Sequence, residues 1–343
     1  MKAALFEKPY TIQIVEKATP KPEPGWVLIK TLRAGICGSD LHNYRGCALR
    51  NNFEAWQQLG FAEGHELCGE VVAVGDKVEK VKIGDRVTAE AVWHCGSCYM
   101  CKSGQYHLCL DRKDLVWWGD GAFAEFVCLP EKVLYVLPES MTSSEGALVE
   151  PLAAAYHAVR KAGDCFGKKV LIIGGGSMGQ LCAGVAKLSG TISLSILVRY
   201  DHQAKVAYEM GCDSVFYPHA SLDSSLQFDV VIETTGNSEA FENATRLCRK
   251  GGRIVLLGGY PHPQNINLAP IVSKELQIAG SLCYGWDGIR KEFEIAIDLL
   301  AKKKINVTAV VTHEFPFDQI SEAFRVASDK KSGSIKVHIN FNL

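Results

Sequence analysis

Three cysteines crowd one short stretch of this chain, His94-Cys95-Gly96-Ser97-Cys98-Tyr99-Met100-Cys101, and a fourth, Cys109, follows. The spacing C-x2-C-x2-C-x7-C lets four thiolates wrap one ion without help from elsewhere. Zinc accepts such a closed tetrahedral sulfur shell and has no redox chemistry. With every position filled it leaves no room for a substrate, so the set predicts a structural zinc. An iron–sulfur cluster is the alternative, but the compact triplet and seven-residue gap lack the usual ferredoxin spacings. Apart from Cys37, the remaining cysteines, Cys47, Cys68, Cys128, Cys165, Cys182, Cys212, Cys248 and Cys283, sit among apolar neighbours and read as core filling.

A second donor set is split along the chain. Gly35-Ile36-Cys37-Gly38-Ser39-Asp40-Leu41-His42 and Gly64-His65-Glu66 together offer a thiolate, an imidazole and a carboxylate. Three protein ligands leave a fourth position for an alcohol or carbonyl oxygen, which is the requirement of a catalytic zinc.

The third signal is Gly174-Gly175-Gly176-Ser177-Met178-Gly179, fed by the apolar run Lys169 to Ile173. In a G-x-G-x-x-G loop between strand and helix, the first glycine makes the turn and the second lets the backbone approach a pyrophosphate. The third allows close packing of helix on strand, and the helix start holds the anion. The next strand ends at Val198-Arg199-Tyr200. An NAD site wants an acid there, whereas an NADP site wants the acid removed and a cation supplied. Valine occupies the acid's place, and Arg199 can grip a 2′-phosphate through two parallel hydrogen bonds. NADP is the expected cofactor, with Tyr200 near the adenine. Asp201 supports NAD as the alternative.

Such residues need a scaffold of suitable size. The 343 residues suggest about two domains, and 47% hydrophobic with 22% charged is a folded composition. Thirty-seven basic against 38 acidic residues give a net charge of -1 with no block of like charge, so neither nucleic acid nor a membrane surface is an expected partner. Apolar runs are strand-sized, which predicts no transmembrane helix. An acid at Glu7 interrupts any secretory core, so the expected location is cytoplasmic.

Short β-rich runs fill the chain to about Pro138: Trp26 to Lys30, Gly69 to Gly75, Asp85 to Val87 and Phe123 to Val127. From about Thr142 helical periodicity alternates with buried runs, the mark of a parallel sheet. Helices are expected at Glu145 to Ala162, Met178 to Leu188, Ser238 to Leu247 and Ile289 to Lys302. Strands are expected at Lys169 to Ile173, Leu194 to Val198, Asp229 to Ile232, Arg253 to Leu257 and Leu276 to Gly280. The closing Ser334 to Phe341 alternates again and should return to the first domain.

Taken together, these motifs resemble the medium-chain zinc-dependent alcohol and polyol dehydrogenases, in the sorbitol dehydrogenase-like branch. The resemblance runs from Met1-Lys2-Ala3 through Gly84-Asp85-Arg86-Val87, Gly121 to Glu125 and Glu150-Pro151-Leu152-Ala153 to the glycine loop. It implies an α/β protein with a GroES-like β-rich catalytic domain, 1–147 and 284–343, and a Rossmann-type doubly wound parallel sheet, 148–283, with the active site in the cleft between them. Cys37, His65 and Glu66 match the catalytic zinc ligands, and Glu150 matches an acid beside the metal or joining it. Ser39 matches the hydroxyl that passes on the substrate proton, and His42 the outer member of that relay. Two zinc ions per chain are implied. Hydride would pass between a secondary alcohol of polyol, sugar acid, cyclitol or amino-alcohol type, or its ketone, and the nicotinamide.

The sequence departs from the family in three places, one of them Val198-Arg199, where the usual NAD-using members carry an acid and their NADP-using relatives do not. The approach Leu59-Gly60-Phe61-Ala62-Glu63-Gly64-His65-Glu66 lacks a proline and carries an extra acid, and the loop Arg45 to Gln58, with Arg50, Asn51, Asn52 and Trp56, differs from the polyol pattern. Two rivals remain. The zinc-free reductases of the same fold lack the cysteine lobe and the Cys, His-Glu ligands, all of which are present here. A non-catalytic NADPH sensor need not maintain an open three-ligand site. An apolar edge strand at Leu276 to Gly280, together with the resemblance, implies a homodimer or homotetramer.

Overall fold

The computed structural model describes residues 1–47, 60–115, 119–218 and 226–342. Most of the divergent loop, including Arg50, Asn51, Asn52 and Trp56, lies outside the described residues. The chain forms two compact units. One comprises Met1–Glu150, Gly285–Lys304 and Val311–Leu343; the other comprises Pro151–Tyr284 and Ile305–Val310.

The first unit is built on a mostly antiparallel sheet. Its order is Val311–Pro316, Lys336–Asn340, Trp26–Gly35, Glu66–Val74, Arg86–Ala89 and Leu134–Val136, with Phe126–Pro130 also pairing with Trp26–Gly35. Alternation puts Val27 and Ile29 of the central strand, with Val71 and Val87 of its neighbours, into one core that Phe123 and Phe324 close. The closing strand Lys336–Asn340 does return to this unit, pairing antiparallel with Trp26–Gly35 so that His338 faces Gly35. A separate hairpin, Lys2–Lys8 with Thr11–Glu16, turns through Tyr10 at positive φ and carries no turn signal of the Asn-Gly type.

The second unit is a six-stranded parallel sheet in the order Ser214–Phe216, Ser193–Leu197, Lys169–Ile173, Phe228–Glu233, Cys248–Leu256 and Gln277–Gly280. The order reverses between Lys169–Ile173 and Phe228–Glu233, the switch point at which doubly wound sheets take ligands. Helices Ser177–Leu188, Asp201–Glu209 and Ser238–Leu247 connect the strands. Gln277–Gly280 and Ser214–Phe216 are the two edge strands. The long helix expected from Glu145 is divided into Ser143–Ala147, which starts at a reciprocal cap between Thr142 and Glu145, and Val149–Lys161; Pro151 has no amide to donate to the Ala147 carbonyl, which interrupts the ladder there.

Candidate active site

Cys37 lies two residues past the end of the central strand Trp26–Gly35 and caps the helix Gly38–Tyr44. The Asp40 carboxylate, three residues on, accepts the Cys37 amide at 2.7 Å and so fixes where the thiol leaves the backbone. Ser39 and His42 stand three apart on that helix, both half-buried, and therefore share a face. Glu66 opens the neighbouring strand Glu66–Val74, and His65 immediately precedes it. Gly64 at φ +96 bends the chain into it, under a strap in which Gly121, Ala122 and Phe123 donate amides to the carbonyls of Ala62, Gly64 and Glu63. A Cβ on Gly121 would lie 2.3 Å from the Gly64 oxygen, so the strap can sit this close only as glycine. The Gly121 to Glu125 motif thus acts on His65 from a distance in sequence.

The pairing of Gly35 with Glu66 brings the two donor segments side by side. A Cβ at Gly35 would meet the Glu66 Oε2 at 1.9 Å, so glycine leaves the space the carboxylate occupies. Donor atoms of Cys37, His65 and Glu66 lie within 4.8 Å of one another. Glu66 is fully buried, and both its oxygens accept from Lys336 Nζ, at 2.6 and 2.7 Å, while Nζ also donates to the Ile36 carbonyl at 3.0 Å. Each carboxylate oxygen has two lone pairs, so this ion pair is compatible with ligation.

His65 Nδ1 faces Asp40 Oδ1 at 3.5 Å. Burial pulls the His65 pKa down, but Asp40 and Cys37 outweigh it and leave it well above the usual value. A metal held by His65 would need the neutral ring, so binding one here would release a proton. Burial pushes Asp40 up to about 6, against the pull of His65. Burial likewise pushes Glu150 up to about 7, with His65 lowering it and Glu66 raising it. Three buried carboxyl groups and a thiol therefore share one buried ammonium, a donor set that fits a divalent cation.

The cysteine lobe fits a closed shell. A Zn–S length of about 2.3 Å places the sulfurs of a tetrahedral site about 3.8 Å apart. Here Cys98–Cys101 and Cys109–Cys95 measure 3.5 Å, Cys98–Cys109 3.9 Å and Cys95–Cys101 4.0 Å. Amides of Ser97 and Cys98 point at Cys95 Sγ, each at 3.4 Å. These bonds, with the Ser97 hydroxyl first among them, bring the Cys95 thiol down to about 6 and favour the thiolate a metal needs.

In the second unit, Gly174 at φ +112 makes the turn after Lys169–Ile173, and a Cβ on Gly179 would lie 1.8 Å from the Gly174 oxygen. Gly176, which caps the helix Ser177–Leu188, would meet nothing with a Cβ, so this face is open for a phosphate. Val198 is buried and would touch a Cβ on Gly175. Arg199 is exposed, and among the described residues its guanidinium has no acidic partner. Tyr200 caps Asp201–Glu209 and stacks on His202 at 5.5 Å, while Asp201 accepts the Tyr217 hydroxyl at 2.8 Å.

The family model of the alcohol dehydrogenase GroES-like domain matches residues 23–139, and that of the zinc-binding dehydrogenase matches residues 177–302. An L-threonine 3-dehydrogenase of Pyrococcus horikoshii is 34% identical over 98% of this chain and 97% of its own. The chain belongs to the zinc-dependent alcohol dehydrogenases. A sorbitol dehydrogenase of Halalkalibacterium halodurans is 33% identical over 98% of both chains. A zinc-binding dehydrogenase of Sinorhizobium meliloti, solved with NADP, superposes with TM-score 0.86 at 30% identity, over 99% of this chain and 98% of that one. The dehydrogenase is thus a GroES-like plus Rossmann enzyme acting on alcohols.

Two residues of the dehydrogenase's centre escaped the reading of the motifs. Asp40 was legible as an acid at the third position of a capped helix. Lys336 carried no local signal, since only the fold brings it 270 residues back to Glu66.

Proposed function

We propose that the enzyme oxidises a secondary alcohol of polyol, sugar acid, cyclitol or amino-alcohol type, or reduces the matching ketone, with NADP preferred over NAD. The observation that carries this is the convergence of Cys37, His65 and Glu66 donor atoms within 4.8 Å. These three hold a catalytic zinc, with Glu150 beside it, and Cys95, Cys98, Cys101 and Cys109 hold a structural one, two ions per chain. A zinc with an open position acidifies a bound alcohol. The protein's part is to hold and move charge. Asp40 anchors Cys37 and orients the His65 ring, as carboxylates behind histidine ligands do. Ser39 accepts the alcohol proton and His42 carries it outward. The relatives named for L-threonine and sorbitol support a polar substrate with neighbouring hetero-groups.

Gly174, Gly176, Ser177, Met178 and Gly179 receive the cofactor's pyrophosphate. Val198, Arg199 and Tyr200 meet its adenosine, with Arg199 on the 2′-phosphate. Asp201 is already engaged by Tyr217, which supports NADP over NAD, as does the NADP in the Sinorhizobium relative. No helix among the described residues is long and apolar enough to cross a membrane. The edge strand Gln277–Gly280 supports pairing with a second copy, as a homodimer or within a homotetramer. Assays of a polyol, sugar acid, cyclitol and amino-alcohol panel with each cofactor test the reading. Turnover confined to one class with NADP supports it, and no alcohol-dependent reduction of either cofactor defeats it.

A further inference from the structure

At the carboxyl end of the parallel sheet lies a buried acid that the proposed chemistry does not use. Glu233 is the last residue of the strand Phe228–Glu233 and is 0% exposed. Its Oε1 accepts the Thr235 amide and hydroxyl, both at 2.5 Å, and the Gly236 amide at 3.0 Å. Its Oε2 accepts the Tyr260 hydroxyl at 2.8 Å. One carboxylate thus joins the loops that follow two neighbouring strands, Phe228–Glu233 and Cys248–Leu256.

Those loops are pressed together by glycines. A Cβ on Gly236 would lie 2.0 Å from the Gly259 oxygen, and one on Gly258 would lie 2.2 Å from the Gly236 nitrogen and 2.8 Å from Glu233 Oε2. The first loop also touches the cofactor loop. Thr234 donates its amide and hydroxyl to the Ile173 carbonyl, at 3.0 and 2.9 Å, and a Cβ on Gly174 would meet the Thr234 hydroxyl at 2.5 Å. Three consecutive loops on the ligand edge of the sheet are therefore locked in series, with Glu233 as the polar centre.

Doubly wound sheets divide a dinucleotide between two halves on either side of the switch point. The half containing the glycine loop and Arg199 takes the adenosine. The half containing Phe228–Glu233, Cys248–Leu256 and Gln277–Gly280 is left for the nicotinamide. We propose that Glu233 is a positioning residue for the nicotinamide half of the cofactor. Its carboxylate holds the Thr234–Gly236 and Gly258–Tyr260 loops in register, and Tyr260 is its partner across them. Hydrogen bonds to an ionised group are the strong ones, so deleting the acceptor frees both loops at once.

This rests on the dinucleotide reading, and a fragment comparison separates the two. Calorimetry on the full chain measures Kd for NADPH and for 2′,5′-ADP, which carries only the adenosine half; NADH and AMP serve as the pair if wild type prefers NAD. Glu233→Ala is expected to weaken the whole cofactor about tenfold or more and the fragment by less than about twofold. Glu233→Gln, which keeps one acceptor oxygen, recovers part of the loss. If Glu233→Ala does not fold, Tyr260→Phe is read the same way, with several-fold weaker cofactor and an unchanged fragment. Equal affinity for the whole cofactor in variant and wild type overturns the proposal, as does an equal loss for cofactor and fragment. Wild type that binds neither NADPH nor NADH overturns the dinucleotide reading instead.

Discussion

Arg199→Leu is the perturbation that isolates cofactor choice. The side chain is exposed and, among the described residues, meets no acid, so its removal breaks no ion pair and should leave the fold intact. NADP carries a 2′-phosphate of charge near −2, and a charge-assisted hydrogen bond to it contributes about 1.5 to 3 kcal/mol. Solvent at an exposed site favours the lower end. At about 1.4 kcal/mol per tenfold, kcat/KM with NADP should fall roughly tenfold while that with NAD barely moves. Screening adds a second signature, since the wild-type preference should shrink as salt is raised and the variant's should not. The rival acceptor is Asp201, which is held by Tyr217, so Asp201→Asn should leave NAD use unchanged. The assay is the ratio of kcat/KM for the two cofactors in all three proteins. Wild type favouring NAD, or a ratio unmoved in Arg199→Leu, would refute the reasoning.

Further outcomes follow from the same geometry. Ser39→Ala should lower turnover about 100-fold and alter the pH–rate profile, since general acid–base steps are typically worth that much; an unchanged profile means water removes the proton. Lys336→Met leaves Glu66 buried without its cation and should cost about 3 to 5 kcal/mol, with less lost when zinc is added, as read from denaturation with and without chelator. His338 is fully buried, and burial, with Lys336 and Arg33 next, holds its pKa down to about 3 from 6.5. The unfolded state therefore binds the extra proton below pH 6.5. The His338 contribution is intact above that pH and is lost as pH falls toward 3, so His338→Gln should flatten the stability slope in that window. Light scattering at micromolar concentration should give a dimer or tetramer, and a monomer would count against pairing at Gln277–Gly280.

Local chemistry explains which parts were legible. Lys169–Ile173 and Ser238–Leu247 were readable to their ends because each is punctuated, one by the glycine loop and the other by the Asn237 cap and the change to a strand. The short strand Ser214–Phe216 and the hairpin Lys2–Lys8 with Thr11–Glu16 have neither turn signature nor long period. In the site, Cys37, His65 and Glu66 could be proposed as a set because soft and hard donors cluster in two tripeptide-sized motifs. Lys336 and Glu233 could not, since a lone lysine or glutamate in a strand says nothing until tertiary packing shows what it faces. Arg199 could be put forward for the cofactor's 2′-phosphate because that proposal rests on its position after a strand end rather than on a contact.

The central claim, an open zinc site formed by Cys37, His65 and Glu66 separate from a closed four-cysteine site, is tested most directly by counting zinc in wild type and in Cys37→Ala while following turnover. Two ions per chain in wild type, and one in a folded but inactive Cys37→Ala, is the expected result. One ion or none in wild type, or a Cys37→Ala protein that keeps both ions and its activity, would contradict it.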